Sequence, residues 1–439
     1  MLFRVLFLIF TVLFIENFYT STTAFSASLE ELVHKAESND FKLRSLKHKV
    51  KAREYQIQQV ISQYKPQLSF STYFGWQEYK PYYGGLIKQK LKYYYLTLKQ
   101  PVYRPEIISK LKQTKIYKKI DTLKVQQEKQ YIRYFLLTTM LHLAYAKRKV
   151  ELYTKLLSFE KEKYREALKL KDKEFISKED FLRVEKEYED AYISFKDAQI
   201  ELDSFVSSLR NLLGSTDYQN LVSPLNEELE IKNLGLTLDY NAWKKDLGKN
   251  IEIKIAEKNV KIAEIEIKRR GYERYPKVDL QLSYSYASSS AISVASNDKR
   301  IALTLDFPIY QGGYVSALKL EALELKKAAF EDLKQIKKEK SMQLDDSWHK
   351  LKQAEEKIKN LKRKLLNDYK IYKVIKKALE KGLKTEIDLK NQEVEIVRDK
   401  ILLNEEVHTF STAYVELLYL TSNLDFKNIK KLNCFLSPR

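Results

Sequence analysis

The sequence predicts a mainly α-helical protein with a membrane β-barrel, built from two tandem helix-strand-strand-helix repeats. Three observations support this fold class. Matching segments occur in the same order in both halves of the chain, short segments alternate between apolar and polar residues, and long segments carry an apolar residue about every 3.6 positions. Four strands per chain are too few to close a barrel, so the prediction includes a trimer with a 12-stranded barrel and a long α-helical tunnel.

The N-terminus has the pattern of a secretory signal peptide. Arg4 precedes an apolar run over residues 5–15, and a small-residue stretch ends at Ala24. The apolar run is shorter than the roughly 20 residues that span a bilayer. We therefore expect residues 1–24 to be a cleaved signal peptide, with a retained membrane anchor as the alternative. No later stretch is apolar enough for a membrane helix, so any crossing is expected to use strands.

The internal repeat defines the predicted domains. Residues 96–103 (LTLKQPVY) align with residues 303–310 (LTLDFPIY), and two further matches lie upstream and downstream at offsets of about 207 to 210. We predict a first structural repeat over residues 25–214 and a second over residues 240–424. Residues 215–239 are expected to form a linker or equatorial segment, and residues 425–439 a C-terminal tail.

Each repeat is predicted to contain a helix, two strands, a very long helix and a further helix. In the first repeat these elements cover residues 29–64, 67–78, 90–100, 106–170 and 178–213. In the second repeat they cover residues 240–274, 277–288, 299–307, 314–380 and 386–422.

The predicted strands alternate strictly. Leu68, Phe70, Phe74 and Trp76 fall on one face of the first strand, whereas Gln67, Ser69, Ser71 and Tyr73 fall on the other. Strands of this length can cross a membrane, with the apolar face toward lipid. An interfacial aromatic girdle is expected from Tyr82, Tyr83, Tyr93, Tyr94 and Tyr95. The alternative is a pair of ordinary hairpins on a soluble helical body.

The long helix of the second repeat carries a continuous apolar stripe. Apolar residues recur about every 3.6 positions from Leu318 to Leu379, and Lys340 is the one charged interruption. A period of 3.6 predicts a nearly straight helix. At about 1.5 Å per residue, this helix approaches 100 Å in length.

Charge and reactive residues argue against nucleic acid binding and catalysis. The 79 Lys and Arg residues against 59 Asp and Glu give a net charge of +20, but both signs are interspersed along the helices rather than gathered in a patch. The one cysteine is Cys434, and five scattered histidines (His34, His48, His142, His349 and His408) lack metal-ligand spacing. We predict no enzyme activity, no cofactor and no metal site, with the histidines as packed or solvated helix residues.

Several turns carry a family resemblance. Residues 101–103 (PVY), residues 308–313 (PIYQGG) and residues 382–389 (GLKTEIDL) are similar to turns of the TolC-like outer-membrane efflux family. The resemblance implies a homotrimer in the cell outer membrane that contacts outer-membrane lipid and extends into the periplasm as a helical tunnel. It also implies an exit duct for a periplasmic adaptor and an inner-membrane pump, without identifying the exported substrate or the class of pump.

The resemblance also implies a site at the helical hairpin tips. Asp388 matches one position of an aspartate ring at the periplasmic mouth, and Asn391 occupies the next such position. Lys384 matches a residue that bonds a neighbouring subunit at the position of Asp180. Gly382 opens the second tip, whereas the first tip has Glu174 at the equivalent position, so we expect the first tip to turn less tightly. The alternative is that these charges are merely solvated.

Two other classes of protein have long helices. A periplasmic adaptor carries one helical hairpin inserted into small β domains, and a coiled-coil scaffold has no use for alternating strands. Two complete helix-strand-strand-helix copies favour the channel over both alternatives.

Overall fold

The computed structural model describes residues 29–214, 222–226, 239–290, 295–429 and 431. The first repeat contains α1 (Leu29–Asn39), α2 (Phe41–Ser62), β1 (Gln67–Tyr79), β2 (Ile87–Tyr103), α3 (Pro105–Asp172) and α4 (Lys178–Leu213). The second repeat contains α5 (Tyr240–Asp246), α6 (Ile251–Gly271), β3 (Lys277–Ser289), β4 (Ser296–Asp306), α7 (Tyr314–Glu380) and α8 (Glu386–Leu420). The predicted signal peptide, most of the linker and most of the tail lie outside the described residues.

The predicted strands and long helices are present near their expected bounds, but the first helix of each repeat is broken. The prediction of continuous helices over residues 29–64 and 240–274 was therefore wrong. Asp40 separates α1 from α2, and Asn250 separates α5 and a short 3-10 turn (Leu247–Lys249) from α6. The Asn250 side chain caps α6 by accepting hydrogen bonds from two backbone N–H groups. Capping of the new helix compensates for the bonds lost at the break.

Both breaks are also tied to the end of a distant helix. The Asn39 side-chain amide donates to the Leu213 carbonyl of α4 at 3.1 Å, and the Asn250 amide donates to the Leu420 carbonyl of α8 at 2.7 Å. Carbonyl groups at a helix C-terminus lack partners within the helix. The breaks therefore allow one side-chain amide in each repeat to satisfy such a carbonyl.

The helices form a layer in which α3 and α7 run from the sheet to the hairpin tips. Near the sheet α3 packs against α2, as in the Arg53–Asp121 ion pair of 2.9 Å, and near the tips it packs against α4, as in the Lys149–Glu201 pair of 2.7 Å. Helix α7 is accompanied by α6 and then α8 in the same way. No helix among the described residues is both long enough and apolar enough to cross a membrane.

The predicted stripe on α7 faces this helical layer. Leu344, Leu351 and Ile358 on the stripe are almost completely buried in the main core, which α3 and α8 complete. Lys340, the charged interruption, pairs with Glu252 at the start of α6 at 2.8 Å. Leu325 remains 57% exposed, so the stripe is not covered along its whole length by this chain alone.

The four strands form one antiparallel sheet in the order β1-β2-β3-β4. Directly opposed residues lie on the same face of the sheet. One row of opposed residues consists of Leu68, Leu98, Leu282 and Ile301. The next row, on the other face, consists of Ser69, Thr97, Ser283 and Arg300. The sheet therefore has one apolar face and one polar face, as predicted, and the edge strands β1 and β4 are exposed on both faces in the single chain.

The predicted tyrosine girdle is only partly correct. Tyr94 lies on the apolar face and packs edge-on against Phe74, with ring centroids 5.7 Å apart. Tyr93 and Tyr95 lie on the polar face, because successive strand residues point to opposite sides. Tyr93 there packs against Tyr73 at 5.9 Å.

Candidate functional site: the two hairpin tips

The second hairpin tip connects α7 to α8 through a tight left-handed turn. Gly382 has φ of +68°, and the backbone N–H of Leu383 donates to the Ala378 carbonyl at 2.9 Å. Glycine adopts this backbone conformation at little cost because it has no Cβ atom. The turn reverses the chain within a few residues and exposes the positions that follow.

Asp388 and Thr385 form a capping box at the start of α8. The Asp388 backbone N–H donates to the Thr385 hydroxyl oxygen at 3.2 Å, and the Thr385 backbone N–H donates to the Asp388 carboxylate at 3.0 Å. Hydrogen bonds from the Thr385 backbone and hydroxyl, together with the nearby Lys384, lower the pKa of Asp388 below its usual value. The Lys384 ammonium lies 3.5 Å from the same carboxylate. Asp388 therefore stays ionised and partly exposed at the tip.

The first hairpin tip has the same geometry, so the expectation of a less tightly turned tip was wrong. Glu174 adopts φ of +60°, and the Phe175 backbone N–H donates to the Leu170 carbonyl at 2.8 Å. The Asp180 backbone N–H donates to the Ser177 hydroxyl oxygen at 3.0 Å, which caps α4. The closing hydrogen bonds hold Glu174 in a backbone conformation that costs a non-glycine residue about 1 kcal/mol.

The predicted site residues all lie at the tips but bond within their own hairpins. Lys384 pairs with Asp388, and Asp180 accepts a hydrogen bond from the Ser177 hydroxyl at 2.7 Å. Asn391 is exposed on α8, one turn beyond Asp388. A contact between Lys384 and Asp180 was predicted across two protomers, so a single chain leaves that contact untested.

A cluster of charges around the buried Asp399, between α7 and α8, was not predicted. The Lys364 ammonium lies 2.5 Å from the Asp399 carboxylate, which is 2% exposed. Burial and a hydrogen bond with Asp399 raise the pKa of Asp368. Each aspartate has a buried oxygen that no donor among the described residues reaches, so one shared proton would satisfy both carboxyl groups. These residues lie about 30 positions apart, which left no local signal in the sequence.

A pair of histidines in the helical core was also missed. His408 Nε2 lies 2.8 Å from His142 Nδ1, and the two rings stack on Tyr145 and Phe205 respectively. Burial, together with the neighbouring His142, lowers the pKa of His408 to about 3. Both rings are therefore neutral and one donates a hydrogen bond to the other. The described residues contain no group of three or more His, Cys, Asp or Glu side chains positioned to hold a metal ion.

The junction between the sheet and the helices is held by Arg104. Its guanidinium donates two hydrogen bonds to Asp279 on β3, at 2.9 Å and 2.6 Å, and Lys99 lies 3.1 Å from the same carboxylate. Paired donors of this kind fix the orientation of both groups. No signal in the sequence indicated this pair, because Arg104 and Asp279 lie 175 positions apart.

Comparison with known proteins agrees with this architecture. Residues 244–419 match the sequence model of the outer membrane efflux protein family. No curated protein sequence matches the chain.

Solved channel structures share the fold along most of the chain. The CmeC outer membrane channel of Campylobacter jejuni has a TM-score of 0.76 at 13% identity, covering 93% of this chain and 90% of that one. A membrane protein from Pseudomonas aeruginosa has a TM-score of 0.76 at 16% identity and 90% coverage of both chains. The outer membrane protein VceC of Vibrio cholerae has a TM-score of 0.74 at 12% identity, covering 90% of this chain and 96% of that one.

The family match lies in the second repeat, whereas the structural matches extend over both repeats. Together they confirm the resemblance of this chain to the TolC-like outer-membrane efflux family, whose members are channels of the outer membrane that extend into the periplasm and are not enzymes.

Proposed function

We propose that the protein is the outer-membrane exit duct of a tripartite efflux or type I secretion system. Substrates would pass through it from a periplasmic adaptor and an inner-membrane pump to the exterior. One observation carries the proposal: a two-faced sheet with two unpaired edges continues directly into helices of 68 and 67 residues.

The free sheet edges support a trimer. Among the described residues, strands β1 and β4 each pair on one side only, so the outer edge of each has backbone N–H and C=O groups without a strand partner. Such edges are unfavourable in hydrocarbon because no water is present to bond them. If β1 of one protomer pairs with β4 of the next, three copies form a closed barrel of twelve strands with a lumen.

The helices support the same assembly. Their length of about 100 Å exceeds what a globular domain needs and suits a tunnel through the periplasm. On α4, Ile193 and Ile200 are 56% and 68% exposed although they belong to a regular helix. A helix of a neighbouring protomer would cover these side chains and remove their apolar surface from water.

The hairpin tips would form the periplasmic end of the duct. They lie at the end of the helices opposite the sheet, and each carries an aspartate in the first turn of its second helix, Asp180 in the first tip and Asp388 in the second. With threefold symmetry, the Asp388 carboxylates form a ring, which favours cations over anions. The same tips would be the surface that a periplasmic adaptor contacts.

Recordings in planar lipid bilayers test the channel. The purified mature protein should insert as a trimer and give discrete, cation-preferring current steps. The same preparation after thermal dissociation serves as the control and should give none. A stable monomer without conductance would contradict the proposal.

Export requires a separate experiment in cells. A Gram-negative strain that lacks its own exit ducts should regain dye export when this protein is expressed with its matching adaptor and pump. Export should fail when either partner is omitted. Full export by the protein alone would exclude the tripartite arrangement.

A gate at the tips is a further part of the proposal. Lys384 of one protomer would bond Asp180 of its neighbour and hold the mouth narrow until a partner opens it. Within one chain, Lys384 already lies 3.5 Å from Asp388, so opening could exchange one carboxylate partner for another. An exposed pair contributes about 0 to 1 kcal/mol, but symmetry repeats it three times. The three pairs together are enough to favour the closed mouth over the open mouth if the two are otherwise close in free energy.

A further inference from the structure

The apolar face of the sheet changes character from the helices toward the β1–β2 hairpin. Along β2, the residues on this face follow one another in a fixed order of chemistry. They are Leu98, Leu96, Tyr94, Lys92, Lys90 and Lys88. Alternate residues of a strand are about 6.8 Å apart, so the aliphatic, aromatic and cationic parts occupy successive levels. This is the order of hydrocarbon, interface and headgroup layers in a membrane.

The neighbouring strand β1 places further aromatic rings at the level of the lysines. Phe74 lies opposite Lys92 and Trp76 opposite Lys90, and both rings are about 60% exposed. Tyr286 of β3 lies opposite Tyr94. The lysines therefore begin next to a band of exposed rings, where long side chains reach toward the polar layer.

The charges of this face are largely uncompensated. Glu78 is its only carboxylate among the described strand residues, and it lies 3.4 Å from Lys88. Lys90 and Lys92 are opposed by aromatic rings instead of acids. One more lysine, Lys299, lies on this face at the β4 edge.

The polar face differs in this respect. Its basic side chains lie beside carboxylates, as in the Lys99–Asp279 pair of 3.1 Å and the Arg300–Asp298 pair of 3.2 Å. Like charges at neighbouring positions of one face repel each other. Anions from outside the chain would reduce the repulsion within the row of lysines on the apolar face.

We propose that Lys88, Lys90 and Lys92 bind the phosphate groups of anionic lipids in the outer leaflet. The inference rests on the proposed function, because it requires the apolar face to contact lipid and the hairpin to lie at the outer surface. Each ammonium supplies three donors that suit phosphate oxygens. Tyr94 and Tyr286, one level below Lys92, and the rings opposite Lys92 and Lys90 would hold this part of the face at the membrane interface.

Tryptophan fluorescence can test this binding, because Trp76 lies opposite Lys90. The other two tryptophans, Trp243 and Trp348, lie in helices outside the sheet. The protein is reconstituted into vesicles of phosphatidylcholine with an increasing fraction of phosphatidic acid, and one of the two lipids carries brominated chains. Quenching then reports which lipid occupies the positions around Trp76.

We expect phosphatidic acid to bind about fivefold or more tightly than phosphatidylcholine at low salt, and less so at high salt. Replacing all three lysines by glutamine (K88Q, K90Q and K92Q) should bring the ratio close to one. A control with the same change in net charge replaces Lys370, Lys373 and Lys377, which are exposed on α7. This control should keep the preference.

The outcomes separate this inference from the proposed function. Equal quenching by both lipids, or a preference unchanged by the three substitutions, would overturn the lipid-phosphate site while leaving the sheet in the membrane. Absence of quenching by either brominated lipid would show that Trp76 does not contact lipid, and would contradict the membrane assignment itself.

Discussion

Acidification should destabilise the helical core through the His142–His408 pair. His408 is the group that lowering the pH affects. Its imidazole is neutral in the folded core between α3 and α8, and acid favours its protonation. Tyr145 and Phe205 stack on the two rings, and Glu201 is the carboxylate that acts on His142. That carboxylate only partly opposes the effect of burial, which lowers the pKa of His142 as well.

The size and sign of the stability loss follow from the lowered pKa of His408. The pKa of His408 is about 3 in the folded protein, against an ordinary value of 6.5. The unfolded chain therefore takes up more protons than the folded chain below about pH 6.5. The stabilising contribution is present above that pH and is lost as the pH falls, by about 1.4 kcal/mol for each pH unit. At about pH 4.5 the loss is of the order of 2.7 kcal/mol.

Guanidinium unfolding followed by far-UV circular dichroism measures this loss at fixed protomer concentration. The wild type should lose stability between about pH 7.5 and pH 4.5, and the H408Q variant should lose about 2.7 kcal/mol less over the same interval. Glutamine keeps a hydrogen-bonding group beside His142 but does not titrate. The H349Q variant, altered at an exposed histidine of α7, should behave as the wild type. Equal pH dependence in H408Q and the wild type would refute the reasoning.

Three further predictions concern the tips and the sheet. Glu174→Gly should raise the free energy of unfolding by about 0.5 to 1 kcal/mol in denaturant titrations, because it relieves the positive φ, and Gly382→Glu should lower it by a similar amount. A Glu174→Gly variant that is no more stable than the wild type, or a Gly382→Glu variant that is no less stable, would show that the turns are not equivalent. Leu282→Lys should cost about 2 to 4 kcal/mol of stability in lipid and Ser283→Lys much less, and equal costs would disprove the assignment of the faces. Lys384→Glu should raise single-channel conductance with an intact trimer, and unchanged conductance would place the closure elsewhere.

Much of the fold was predictable because its signals are local. The alternation around Leu68 and Leu282 fixed the strand faces, and the register of the sheet places these two leucines in one row. The stripe of α7 was predictable for the same reason, since burial follows the 3.6-residue period at Leu344 and Leu351.

The missed features depend on contacts between residues that are distant in sequence, or on a backbone conformation that the local sequence does not favour. Asp40 and Asn250 have good capping side chains, but the helical pattern on both sides of them concealed the breaks. Glu174 takes a glycine-like conformation because the closing hydrogen bonds of the tip outweigh its local preference. At the candidate site, the position of Asp388 was predictable from its motif. Its capping partner Thr385 became evident only from the geometry.

The central claim is that three copies of this chain close one barrel and one tunnel. Electron cryomicroscopy of the purified protein in lipid nanodiscs tests it most directly. We expect a threefold particle in which β1 of each protomer pairs with β4 of the next, giving twelve strands above a helical tube of about 100 Å. A particle with a single copy, or three copies whose sheets remain separate, would contradict the account.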